Sequence, residues 1–167
     1  RTLLTELFTE GVLGSGSFVV SERALGANMT LDITAGVAVL EGDDAANQGR
    51  YLVREDSASL SAVTIGTAHA SNPRIDLVGL QLNDPSEGGS AGRNSVFAVV
   101  AGTAASSPSA PSVPDSFLVL ASVLVPASAA SIDDEDITDE RELATFAHEA
   151  QIRSVFAVDG DLVRAAG

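Results

Sequence analysis

From Ser17 onward the chain alternates apolar and polar positions with a period of two. MTLDIT sets Met29, Leu31 and Ile33 on one face and Thr30, Asp32 and Thr34 on the other, and Ala35-Gly36 then leads into VAVL as a hairpin-like pattern. Further runs of this kind stand at RYLVR (50–54), SLSAVTI (59–65), RIDLVGLQL (74–82), SVFAVV (95–100) and SFLVLASVLV (116–125), separated by Gly, Asn, Asp, Pro and Ser clusters. Short strands with no long helix between them predict a mainly β fold, an antiparallel β-sandwich-like domain or an open barrel. SFLVLASVLV is apolar on both faces and flanked by Pro114 and Pro126, which predicts a central strand covered on each side.

The two ends change period. Leu3, Leu4, Leu7 and Phe8 fall on one helical face ahead of Gly11, and ELATFAHEAQIRSVF (142–156) sets Leu143, Phe146, Ala147 and Ala150 together. These patterns predict short flanking helices: an N-terminal docking helix within 1–14, a β domain over 15–142, and a C-terminal helix and tail over 143–167. The first helix docks either on its own domain or on a neighbouring subunit. Two connectors stand out, 82–94, rich in Gly and Ser, and 102–116, where Pro108, Pro111 and Pro114 predict a partly polyproline-like surface strap.

The stretch SNPRIDLVGLQL, followed by VVAGTAASSPSAPSVPDSFLVLASVLVPASAASIDDEDITDERE, resembles a module of bacteriophage minor tail and baseplate proteins. Upstream, SGSFVVSERALGANMTLDITAGVAVLEGDD is similar to the opening of that module, so the resemblance covers roughly residues 11–142. It implies a structural component of a tail tip or baseplate, located in the virion and extracellular when mature, which scaffolds or positions receptor-binding elements among other tail proteins. The Gly/Ser-rich insertion at 84–93 and a short C-terminal extension in place of a large receptor-binding domain are departures from the family pattern. Two alternatives stay open: a module that itself recognises a host cell-wall glycan, and the equivalent part of a phage-derived contractile injection system. A closed cyclic assembly suits a tail position, and a homotrimer is the expected form.

Within the shared motifs, Pro73 disfavours helix at Asn72, while Arg74 and Asp76 lie on one face of a strand, where pairing with each other or across strands fixes register. Ile137-Thr138-Asp139-x-Arg141 closes the module, with Arg141 placed to pair with a preceding acidic residue.

Composition narrows the chemistry. The 167 residues carry a formal charge of −14 and no Lys, which argues against nucleic acid, whose phosphates need clustered positive charge. No apolar run reaches the length of a membrane helix, and the opening RTLLTELFTEG carries acidic residues where a secretory leader needs apolar ones, so membrane insertion is not expected. Zero Cys excludes disulfides, Cys-based zinc sites and thiol nucleophiles.

The acidic run Asp133, Asp134, Glu135, Asp136, Asp139, Glu140 and Glu142 supplies oxygen ligands of the type Ca²⁺ accepts, but it lacks the Gly and distal Glu of a calcium loop and reads as a solvated loop, with a weak metal site and a docking surface for a basic patch as the alternatives. His69 and His148 are the two imidazoles, and no nucleophile elbow, zinc-binding helix or phosphate loop accompanies them. No catalytic, cofactor-binding or metal residue is assigned, and no enzyme activity is expected. Among the few aromatics Tyr51 is the one reasonable platform for stacking a sugar, whereas Phe18, Phe97 and Phe117 read as core.

Overall fold

The computed structural model describes residues 7–46, 48–84 and 94–146. Among the described residues ten strands run in chain order: β1 (Gly11–Val12), β2 (Val20–Glu22), β3 (Thr30–Ile33), β4 (Gly36–Gly42), β5 (Gly49–Glu55), β6 (Ser59–Thr64), β7 (Arg74–Asn83), β8 (Asn94–Val100), β9 (Phe117–Val125) and β10 (Ile137–Asp139). They form three antiparallel sheets in the orders β1-β4-β5, β2-β3-β6 and β10-β9-β7-β8, so the protein is mainly β. The edges of the second and third sheets adjoin, β6 beside β8 and β2 beside β10, and β4 packs on β9. Between them Phe18, Leu31, Ile33, Leu40, Ile65, Val78, Leu120 and Ile132 are fully buried in one apolar cluster.

The flanking helices are not found. Among the described residues helical structure amounts to Leu7 alone at the N-terminal side and one 3-10 turn at Asp134–Asp136. Residues 1–6 and 147–167, on which most of the two expected helices fall, lie outside the described residues. From Phe8 onward and up to Phe146 the two segments pair with each other: Val12 N donates to Glu142 O at 2.8 Å and Ala144 N to Val12 O at 2.9 Å, and Phe8 bridges Phe146. The amide and carbonyl groups that a helix from 142 would bond internally are taken up by the other end of the chain.

The hairpin expected at Ala35-Gly36 is also replaced. β3 pairs with β2 and β6, whereas β4 pairs with β1 and β5, so the chain turns a corner between sheets at Thr34-Ala35. Thr34 holds the corner: its N–H donates to Val19 O at 3.0 Å, and its hydroxyl accepts from Val19 N at 2.8 Å and donates to Gly16 O at 2.9 Å.

β9 is the interior strand its composition implies, flanked by β10 and β7. Its register against β7 slips by one residue, Val78 facing Ala121 but Gly79 facing Val119. This bulge at Leu120 reverses the parity of the strand, so Leu118 and Leu120 before it and Val123 and Val125 after it all reach the core. Gly79 is required beside it, because a Cβ there would sit 2.2 Å from Leu118 O and against the Phe117 ring.

Candidate functional site

Three polar clasps hold loops to the sheets, and two of them are built from the Arg74-x-Asp76 and Asp139-x-Arg141 motifs. The first is Arg74–Asp76 at the start of β7. Both side chains are buried on the core side of the strand, with Arg74 Nε donating to Asp76 Oδ1 at 2.9 Å. The guanidinium also donates to Thr67 O at 2.8 Å and Gly66 O at 2.6 Å, and Asp76 Oδ1 accepts Gly102 N at 2.9 Å. The pair thus ties the β6–β7 loop and the start of the 102–116 strap to one strand. Gly102 permits the approach, since a Cβ there would lie 2.0 Å from Ile75 O.

The second clasp is Arg141. Its Nε and Nη2 donate to the two Asp139 oxygens at 2.8 and 2.7 Å, and Nη1 donates to Ser15 O and Ser17 O at 2.8 and 2.7 Å. The expected pairing with a preceding acid is present, and in addition the guanidinium closes the N-terminal loop 13–17.

The third clasp was not read from sequence. Ser116, buried and left-handed at φ 54°, donates through Oγ to Asp44 Oδ2 at 2.7 Å while accepting Asp43 N at 3.0 Å, and its own N–H donates to Asp43. Its carbonyl accepts Leu82 N at 2.9 Å and Gln81 Nε2 at 3.2 Å. Ser in a PDS turn before an apolar strand is the only sequence signal, and it is a weak one.

The remaining candidates are likewise engaged. Tyr51 is half-buried against the core, and its hydroxyl donates to Asp84 Oδ2 at 2.9 Å. His69 Nδ1 accepts Ser71 N and Asn72 N, both at 3.1 Å, as the cap of a turn, and His148 lies outside the described residues. In the acidic run, Asp134 accepts Glu22 N at 2.8 Å, Asp136 accepts Asp133 N at 3.3 Å and Glu140 accepts the Ser122 hydroxyl at 2.8 Å. No group of three potential ligands is arranged to hold a metal ion among the described residues. Phe18, Phe97 and Phe117 belong to the interior, with Phe97 partly buried.

The chain matches no protein-family model, no curated protein and no solved structure.

The arrangement with most bearing on function is the seam between the two ends. Beyond the Val12–Glu142–Ala144 bonds, Thr9 N donates to Thr145 O at 2.8 Å, Thr145 N donates to Thr9 Oγ1 at 2.8 Å, and the Phe8 and Phe146 rings stack at 5.0 Å. Gly11, at φ 141°, makes this possible, since a Cβ would meet Glu142 O at 2.6 Å. Leu7, Leu143 and Phe146 are exposed at this seam.

Two carboxylates give the fold opposing responses to pH. Burial, reinforced by Glu41 and Asp43, raises the Glu10 carboxyl above 4.5 despite its hydrogen bond from Glu41 N. The Arg141 guanidinium lowers Asp139 below 3.8. A raised acid favours the fold at pH values below 4.5 and loses that contribution as pH rises through its folded-state value; a lowered acid contributes above 3.8 and loses its contribution on acidification. Because the Asp139 side chain is 61% exposed, its share is small. Thermal unfolding of Glu10→Gln from acid to neutral pH is expected to show a flatter pH dependence above 4.5 and a neutral-pH stability at least equal to that of the parent; a steeper dependence would contradict the assignment.

Proposed function

We propose that this chain is a non-enzymatic structural component of a bacteriophage tail tip or baseplate, a β-sandwich-like connective module that scaffolds or positions receptor-binding elements within a homotrimer. The observation that carries the reading is the seam: the segment around Phe8–Val12 pairs with Glu142–Phe146 and leaves Leu7, Leu143 and Phe146 exposed together, an apolar patch of the kind that docks on a neighbouring protein. The resemblance adds weight, because its most characteristic residues, Arg74, Asp76, Asp139 and Arg141, are those that clasp loops onto sheets. Direct glycan recognition gains no support from Tyr51, whose hydroxyl is held by Asp84.

Immunogold labelling of purified virions with an antibody against this chain tests the proposal. Gold is expected at the tail tip; gold absent from every particle would remove the tail assignment. Sedimentation of the chain is expected to give a trimer, and a monomer both in isolation and in the assembled particle would remove the oligomeric part.

A further inference from the structure

The segment after β10 leaves the four-stranded sheet before β9 ends. β10 pairs with β9 over Ile137–Asp139 against Val123–Ala121, and the Glu140 N to Leu120 O bond at 3.0 Å adds one more rung. The chain then diverges, and Glu142 and Ala144 bond to Val12 instead. Phe117–Val119 thus have β7 on one flank and, among the described residues, no strand on the other.

Alternation along an antiparallel ladder decides which groups are open. Leu82 N donates to Ser116 O and Leu80 lies opposite Leu118, so Ser116 and Leu118 direct their backbone toward β7. Phe117 and Val119 direct theirs away from it, and among the described residues no backbone bond meets them from that side.

This open edge backs a groove formed by Val113 of the strap and Phe117, Leu118 and Val119 of β9, with Glu10, Glu140 and Glu142 around it. Val113 is 51% exposed although it is apolar. The described ion pairs join Arg50 to Glu41, Arg54 to Asp56, Arg74 to Asp76 and Arg141 to Asp139, and none neutralises the three glutamates at the groove. Glu10 is partly desolvated there, with Glu41 and Asp43 adding to the negative field and Arg50 offsetting it in part.

The geometry points to β-strand addition at the Phe117–Val119 edge by an extended segment of a different, basic protein, its main chain pairing with Phe117 and Val119 and its Arg or Lys side chains meeting Glu10, Glu140 and Glu142. A second copy of this chain is a poor occupant, because each copy carries a net −14 and no Lys, and its Arg50, Arg74 and Arg141 are held in internal ion pairs. The main-chain bonds supply affinity at about 4.8 Å strand spacing, and the carboxylates select for cationic side chains. This surface follows from the edge alone and stands or falls separately from the tail assignment.

The test uses the full chain and two fluorescein-labelled peptides, one alternating Val with Arg and the other alternating Val with Glu. Anisotropy is expected to show binding of the first, weakened by salt, and none of the second, while amide exchange at Phe117 and Val119 slows when the Arg peptide is bound. The Glu10→Gln, Glu140→Gln, Glu142→Gln triple variant is expected to bind on the order of tenfold more weakly. Val119→Pro is expected to abolish binding with the fold retained, because the N–H it removes faces the open side and not β7. If that variant misfolds, the triple variant, two of whose three sites are exposed, decides the matter. Absence of Arg-peptide binding, equal binding by the triple variant, or binding that leaves exchange at Phe117 and Val119 unchanged would each overturn the proposal.

Discussion

Changing Asp76 to Ala is expected to lower the unfolding free energy by about 3–5 kcal/mol, because it strands a buried guanidinium without its counter-charge. For a chain of this size that corresponds to a fall in melting temperature on the order of 10 °C. The carboxylate is fully buried, and its Oδ1 serves both Arg74 Nε and Gly102 N, so the substitution also removes the acceptor for the strap's amide. Asp76→Asn is expected to lose less, since its carbonyl oxygen still accepts one of these donors. The double change Arg74→Met, Asp76→Leu separates charge from hydrogen bonding. Replacing a buried pair with apolar groups is often neutral where nothing else depends on it. Here Gly66 O, Thr67 O and Gly102 N would lose their partners, so recovery is expected to be partial. A double variant as stable as the parent, measured by denaturant unfolding, would show that the clasp contributes little beyond its own charges.

This clasp also marks how far the sequence can be read. The spacing Arg74-x-Asp76 on a period-two run places both groups on one face, and they do pair. That the face is the buried one was not visible, because it depends on the 66–67 and 102 backbone returning to the same strand from elsewhere in the chain. The strands from β3 to β9 were legible within a residue or two, since each is long enough for alternation or continuous apolarity to register. β1, β2 and β10 were not, being two or three residues long, with pairing set by their neighbours.

The errors have a common origin. Leu143 and Phe146 stand at helical spacing, yet both lie in extended backbone, because bonds across the seam to Thr9 and Val12 outweigh a weak local preference. Asp32 sits on the nominally polar face of β3 but is buried, with Oδ2 accepting Ala24 N at 2.9 Å, next to a register shift between Leu31 and Ile33. In each case a long-range contact overrides a local pattern. The candidate site shows the same split: individual polar residues were named correctly, while the seam and the open edge of β9 arise only when distant segments converge.

Phe18→Ala is expected to destabilise the fold by about 3–5 kcal/mol, the range for deleting a buried aromatic side chain. The ring is fully buried and meets Phe97 edge-on, with centroids 5.9 Å apart at 71°. Phe97 belongs to β8, which adjoins β6, and Phe18 precedes β2, which adjoins β10, so the contact joins the two sheets through the core and not along either adjoining edge. Phe18→Leu keeps most of the buried area and is expected to lose mainly the ring pairing, about 1 kcal/mol. The backbone makes the decisive comparison available. Phe18 has φ 55°, a left-handed conformation that disfavours any residue with a Cβ, and it is held beside the corner, where Gly36 leaves room for it because a Cβ there would lie 2.7 Å from Phe18 N. Phe18→Gly removes the same ring as Phe18→Ala but releases this strain, so it is expected to be more stable than the Ala variant by about 1 kcal/mol, the reverse of the usual order in a strand or helix. Equilibrium unfolding of the two variants checks the sign; a less stable Gly variant would mean that the left-handed turn at Phe18 does not constrain the folded chain.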